Sequence, residues 1–235
     1  NGKGTITWPS QQVYRGDVRS GLPHGKGNML FTNGRTYTGE LNLGKLHGQG
    51  ELHWPDGSFY QGQFINDVVA GKGDYTSAVG DRFQGEFADE KPHGRGTLSM
   101  SSGDLYMGEV HYGVIEGTGT LAFADGSIYQ GEFIAGRMQG SGERIWPNGN
   151  NYKGQFQNDN FYGYGIANFA NGVIHEGEFV DGKPEGEGKR VWPDGRTYRG
   201  YWEAGIREGT GTMTFANGDR FEGEFRADMM HGLGR

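Results

Sequence analysis

Two sets of residues have the types and spacing that chemistry would need. Glu40, Glu86, Glu109, Glu132, Glu178 and Glu224 recur in one phase of the sequence, and so do His24, His47, His93 and His231. Paired carboxylates are the apparatus of glycoside hydrolysis, about 5 Å apart in retaining and about 6.5–9.5 Å apart in inverting enzymes. Clustered histidines are zinc ligands, held about 2.0–2.1 Å from one ion. Whether either set can act depends on the elements that carry it.

Those elements form a repeat. Ring-x-Gly opens at Tyr14, Tyr37, Tyr60, Phe83, Tyr106, Tyr129, Tyr152, Tyr198 and Phe221, with His175 in the ring's place, every step being 23 residues. Gly-x-Gly keeps the same step from Gly2 to Gly232. An Asn-Gly or Asp-Gly signal follows at Asn33, Asp56, Asp125, Asn148, Asn171, Asp194 and Asn217. A fixed period of this length marks a repeat architecture that buries its core by stacking neighbours. Residues 1–235 read as a single array of ten copies and a stub, entering and leaving the period at the same phase.

Each copy reads as two short strands. Alternation puts Tyr37, Gly39 and Leu41 on one face and Thr38 and Glu40 on the other; in the next strand Gly50, Leu52 and Trp54 share a face, with Glu51 and His53 opposite. The link within a copy is expected to take about six residues, such as Asn42 to His47, and the link between copies to be a tight turn on Asp-Gly or Asn-Gly. No helical period occurs. The fold class is therefore all-β: an elongated single-layer antiparallel sheet, a solenoid-like ribbon of about ten 23-residue hairpins. Glycine inside a strand marks close approach by another group. Glycine and rings share a face, so rings from neighbouring strands are expected to lie flat across glycine slots.

This arrangement weighs against the chemistry. Adjacent copies set the carboxylates about 10 Å apart on the solvent face, and same-phase histidines too far apart for one ion. No phosphate-binding glycine motif, Ser-His-Asp set or cysteine is present. Neither an enzyme nor a metal site nor a cofactor is expected.

Composition narrows the class further. Glycine makes up 47 of 235 residues, but 31 aromatic rings and only 7 prolines exclude collagen and argue against disorder. The net charge of −7 gives no footprint for nucleic acid. Lys and Arg number 22 against 29 acids, and none falls between Arg95 and Arg137. The densest basic segment, Lys183 to Arg207, is interleaved with Glu185, Glu187, Asp194 and Glu203. Charge therefore lends little support to bilayer attachment, while single lipid molecules in an aromatic groove remain open.

The stretch from Tyr129 to Gly149, YQGEFIAGRMQGSGERIWPNG, resembles the MORN repeat, the membrane occupation and recognition nexus motif. The resemblance covers the whole chain. It departs at His175, at Ser77 and Met100 in place of the second-strand ring, at Gln11 for the turn glycine, and at Tyr201 for the usual Glu. It implies a non-enzymatic scaffold in the cytoplasm, associated with the cytoskeleton or the cytoplasmic face of a membrane, with cytoskeletal or motor-protein partners. The basal-complex organisers of parasitic protists are the favoured subclass. The alternative it implies is a phospholipid-recognition module of a larger membrane-associated protein.

Two surfaces are expected to carry binding. Trp8, Phe31, Trp54, Phe123, Trp146, Phe169, Trp192 and Phe215 continue a row of rings beside the tyrosines, and those from Trp54 onward are the candidate binding residues. They either hold copies together or line a partner-binding groove for a peptide or helix. Met229 and Met230 lie in the last hairpin where other copies are polar, which suggests a homodimer through the C-terminal repeats, with Trp202, Phe221 and Phe225 beside them.

Overall fold

A computed structural model describes residues 2–232 and 234–235. Among them all regular structure is β-strand, and the chain divides into two compact units, residues 1–116 and 117–235. Unit 1 contains β1 (Gly2–Thr7), β2 (Val13–Arg19), β3 (Leu22–Leu30), β4 (Thr36–Asn42), β5 (Lys45–His53), β6 (Phe59–Ile65), β7 (Val68–Thr76), β8 (Arg82–Ala88), β9 (Lys91–Ser99) and β10 (Leu105–His111). Each pairs antiparallel with the next in chain order. Unit 2 is built by the same rule from β11 (Val114–Ala122, of which residues 114–116 fall in unit 1), β12 (Ile128–Ile134), β13 (Arg137–Ile145), β14 (Asn151–Gln157), β15 (Asn160–Asn168), β16 (Ile174–Val180), β17 (Lys183–Val191), β18 (Thr197–Glu203), β19 (Ile206–Thr214), β20 (Arg220–Arg226) and β21 (Met229–His231). Each unit is a single-layer antiparallel meander, as the two-residue alternation requires.

The connections are the reverse of the sequence expectation. Within a copy the turn is tight: Leu43 and Gly44 alone join β4 to β5, with φ of 47° and 89°. Two consecutive positive φ values mark the mirror-image turn that suits strand twist. The same pairing of left-handed residues recurs at Asn66–Asp67, Ala135–Gly136 and Asp181–Gly182. Between copies the link is longer. Trp54 to Ser58 joins β5 to β6, closed by Trp54 N–H donating to the Ser58 carbonyl at 2.9 Å. The physical reason lies in a bulge. The ladder pairs Leu41 with Leu46 and Gly39 with Gly50, so Glu40 alone faces the residues between them. Strand β5 thus begins three residues before Gly48, which sits in the bulge at φ 74° rather than at a strand start.

The glycine slots are filled from their own hairpin. Gly39 and Gly50 face each other, and a Cβ on either would run into the Tyr37 ring. The ring therefore covers its own strand's glycine and the partner's, as Phe83 does for Gly85 and Gly96, while over Gly188 His175 is joined by Trp202. The Tyr37 hydroxyl donates to the Glu40 carbonyl at 2.7 Å, satisfying the bulge. The same bond is made by Tyr14, Tyr60, Tyr106, Tyr129, Tyr152 and Tyr198 to the residue three on. Burial pushes the Tyr60 and Tyr152 phenols up to about 12.

Successive copies are tied by edge-to-face rings. Tyr37 meets Phe64 at 5.1 Å, Phe64 meets Tyr60 at 5.3 Å, and Tyr60 meets Phe87 at 5.0 Å. In unit 2 the steps run Tyr129–Phe156 at 4.8 Å, Tyr152–Phe179 at 5.1 Å, His175–Trp202 at 4.8 Å and Tyr198–Phe225 at 4.8 Å. Each such pair contributes about 0.5–1.5 kcal/mol beyond area burial. These rings are almost fully buried, so the core is one staircase of aromatic side chains along each unit.

Candidate protein-binding surfaces

Of the recurring carboxylates Glu132 caps its bulge, and Asp17 and Gln63 do so at the same position of their copies. Glu132 Oε1 accepts from Ser141 N–H at 3.0 Å, Asp17 Oδ2 from Lys26 N–H at 3.1 Å, and Gln63 Oε1 stands in the same relation to Lys72 at 3.4 Å. An acceptor here answers a backbone donor that the bulge removes from the ladder. At the histidine position, His24, His47 and His93 each bury Nδ1 with no hydrogen-bond partner among the described residues, and His93 packs against His111 and Tyr112 with centroids 4.8 and 4.6 Å away. Among the described residues no three His, Cys, Asp or Glu side chains converge on a metal position.

The apolar face of unit 1 holds a groove of about 770 Å³. Met29, Leu46, Leu52, Val69, Tyr75 and Phe87 form its floor, and Phe31 and Trp54 stand in it as half-buried rings. Trp54 meets Tyr75 edge-on at 6.2 Å, and the Arg35 guanidinium lies 5.1 Å from the Phe31 ring. Asp56, Asp67 and Glu90 edge the groove. Asp67 accepts from Leu46 N–H at 2.8 Å, and the Ser58 hydroxyl and N–H hold the Asp56 carboxyl below its usual range. Phe31 and Trp54 are thus the rings of the expected row that line this groove.

Unit 2 carries the rest of that row. Phe123, Trp146, Trp192 and Phe215 are half-buried and Phe169 is 40% exposed. Trp146 meets Phe161 edge-on at 5.9 Å. Each ring also opens an inter-copy turn, with Trp146 N–H donating to the Asn150 carbonyl and Trp192 N–H to that of Arg196, both at 2.9 Å. These rings therefore have a structural task and an open side.

What sequence reasoning missed are the arginines beside them. Arg144 lies 4.3 Å from the Phe123 ring and 4.9 Å from Trp146, and Arg190 lies 4.0 Å from Trp202. Arg207 reaches toward Tyr198, Phe225 and Trp192 while bonding Asp228 at 3.0 Å. Burial pushes the Arg144 and Arg190 guanidinium groups down. The signal was available in the column that faces each stacking ring, where Leu52, Leu98 and Leu121 give way to Arg144 and Arg190.

The opposite face of unit 2 is polar. A depression of about 810 Å³ crosses it, floored by Gly177, Gly188, Gly200, Gly211 and Gly223 and flanked by Glu176, Glu187, Lys189, Arg199 and Glu222. Tyr164 closes one end, its hydroxyl donating to Glu176 at 2.5 Å, a bond that raises the phenol pKa.

Of the residues expected at a dimer interface, Trp202 (0% exposed) and Phe225 (2%) are enclosed with Tyr198 and Met213, and Phe221 packs partly buried against them. Met229 and Met230 are 68% and 52% exposed on β21.

The fold is similar to that of a solved protein domain. The TCP10 domain of Danio rerio CPAP, solved with a peptide of Danio rerio STIL, is 13% identical with a TM-score of 0.53, and the match covers 99% of this chain and 98% of that one. The SAS-4 (dCPAP) TCP domain of Drosophila melanogaster, solved with a proline-rich motif of Ana2 (dSTIL), is 13% identical with a TM-score of 0.38 over 76% and 85% of the two chains. No curated protein sequence matches the chain. The model of the MORN repeat matches eleven consecutive segments: residues 1–13, 14–34, 37–59, 60–82, 83–105, 106–128, 129–151, 152–174, 175–195, 198–220 and 221–235. Matched from end to end by that model, the chain belongs to the MORN-repeat family.

Proposed function

We propose that this protein is a non-enzymatic scaffold that binds protein partners along its ring-lined apolar face. The observation that carries this reading is the unit 1 groove, where an aliphatic floor meets half-buried Phe31 and Trp54 without being covered. An open apolar surface of this kind suits a segment of another protein. A sheet of similar fold, the CPAP TCP10 domain, was solved with a peptide, which supports the same use here. Partners of the cytoskeleton are the class that the repeat family suggests. Photo-crosslinking tests the reading. A photoreactive residue at Trp54 is expected to capture protein, whereas one at Thr38, on the opposite face, is not. Equal capture from both faces ends it.

The exposed Met229 and Met230 carry a second reading, a homodimer through the last repeats, with the enclosed Trp202 and Phe225 supporting the contact from beneath. Light scattering on the intact chain and on one lacking residues 209–235 decides it. The intact chain is expected at twice its monomer mass, and a monomer mass refutes it.

A further inference from the structure

Each stacking ring faces one residue on the following strand. Along the chain that position holds Met29, Leu52, Tyr75, Leu98 and Leu121, then Arg144, Ala167, Arg190 and Met213. Two guanidinium groups therefore stand in a column that is otherwise apolar or aromatic. Arg144 pairs across the ladder with Tyr129 and Tyr152, and Arg190 with His175 and Tyr198. The Nε of each is buried with no acceptor among the described residues. Arg144 makes one bond, Nη2 to Ser127 Oγ at 3.0 Å. The acid that acts on Arg190, Asp228, has its Oδ1 engaged by Arg207 N–H and Nε, while Arg207 Nη2 donates to the Asp228 backbone carbonyl.

An unmatched buried donor is costly, and more so when charged. Stacking on Trp202 and Phe123 offsets part of that cost but leaves the N–H groups free to bond. A guanidinium set in this way is suited to an oxyanion. The two arginines lie four ladder steps apart, about 19 Å at the usual strand spacing. Ala167, the small residue of the column, lies midway between them. Trp146, Phe169 and Trp192 flank the row two residues on.

We propose that the apolar face of unit 2 binds a protein segment carrying two carboxylates about 19 Å apart, one for each of Arg144 and Arg190. This rests on the protein-binding reading and names the chemistry of the partner. Carboxylate is preferred to phosphate because Asp125, Asp159 and Asp228 lie close enough to act on the two arginines. A dianion would meet twice their repulsion. On a helix, two acids on one face at about this span fall about fourteen residues apart, because a spacing of about thirteen would turn them to opposite sides.

The test uses the whole chain and a synthetic amphipathic helix with two Glu about fourteen residues apart on one face. A second peptide carries Gln at both positions, and phosphatidylserine vesicles are the third probe. The double variant Arg144→Met and Arg190→Met places at both sites the residue native at positions 29 and 213, and its melting temperature is expected to equal or exceed that of the parent. The Glu peptide is expected to bind the parent at least tenfold more tightly than the Gln peptide, with the preference lost in the double variant. Equal binding of both peptides would leave the scaffold reading standing and overturn the role of the arginines. No binding by either peptide, or a preference that survives the double substitution, overturns it as well. Vesicle binding that the double variant abolishes assigns the arginines to a headgroup instead.

Discussion

His175 is where the repeat breaks its own rule, and it makes a stability experiment possible. The imidazole occupies a ring slot and is 0% exposed. It lies 5.3 Å from Phe179 and 4.8 Å from Trp202, and neither ring nitrogen has a partner among the described residues. Burial, with the Arg190 charge across the ladder, pushes its pKa from 6.5 down to about 4. The unfolded chain takes a proton near 6.5 that the folded chain refuses until about 4. Stability is therefore full above the unfolded value, falls as pH drops through this window, and levels off below it. The whole effect amounts to roughly 3 kcal/mol, and about 2 kcal/mol is already lost by about pH 5. His175→Phe removes the titration and keeps a ring in the slot, as Phe83 and Phe221 do in theirs. Urea unfolding followed by tryptophan fluorescence at about pH 7.5 and about pH 5 measures the difference. The parent should lose about 2 kcal/mol more than the variant between the two. Equal losses would show that His175 is not held neutral by its surroundings, and the reasoning fails.

Three further perturbations probe the staircase and the surface. Tyr152→Phe deletes the hydroxyl that donates to the Gln155 carbonyl at 3.0 Å, and should cost about 1 kcal/mol by thermal or urea unfolding. Gly154→Ala drives a methyl into the Tyr152 ring and the Gly165 backbone, and its loss in the same measurement should lie near the top of the roughly 1–3 kcal/mol range for overpacking. Asp74→Ala removes the partner of Arg82 and Gln84, whose bonds hold the Asp74 carboxyl below its usual range. The Arg82 side chain is 52% exposed, so the loss should stay within about 1 kcal/mol and shrink with added salt.

The fold was legible because two periods coincide. Alternation assigned the faces, and the 23-residue step fixed how often they recur, so Tyr37, Gly39, Gly50 and Leu52 stand where strand chemistry requires. The turns were not legible. Gly48 looked like a strand start, yet its positive φ serves a bulge inside β5. Leu43, an aliphatic residue with no turn signal of its own, takes the left-handed position at the hairpin tip. Its conformation follows from the Leu41–Leu46 pair that the ladder imposes on either side. The ring row was visible, but its standing was not. Pattern alone does not separate Phe64, 1% exposed, from Phe169, 40% exposed, because both are rings on the apolar face.

A strict repeat also separates positions that make the fold from positions free to vary. Every copy needs a ring or its stand-in, a glycine pair beneath it and a left-handed residue in the bulge, so those positions carry little that is particular to one copy. The residue facing each ring has no such duty: leucine, methionine, tyrosine, alanine and arginine all appear there without disturbing the ladder. Leucine or methionine gives part of the groove floor of unit 1, and arginine gives unit 2 two guanidinium groups whose Nε has no acceptor among the described residues. One backbone then presents different chemistry in its two halves. Partner choice should follow from this column, and exchanging its residues between copies should move binding while leaving the sheet intact.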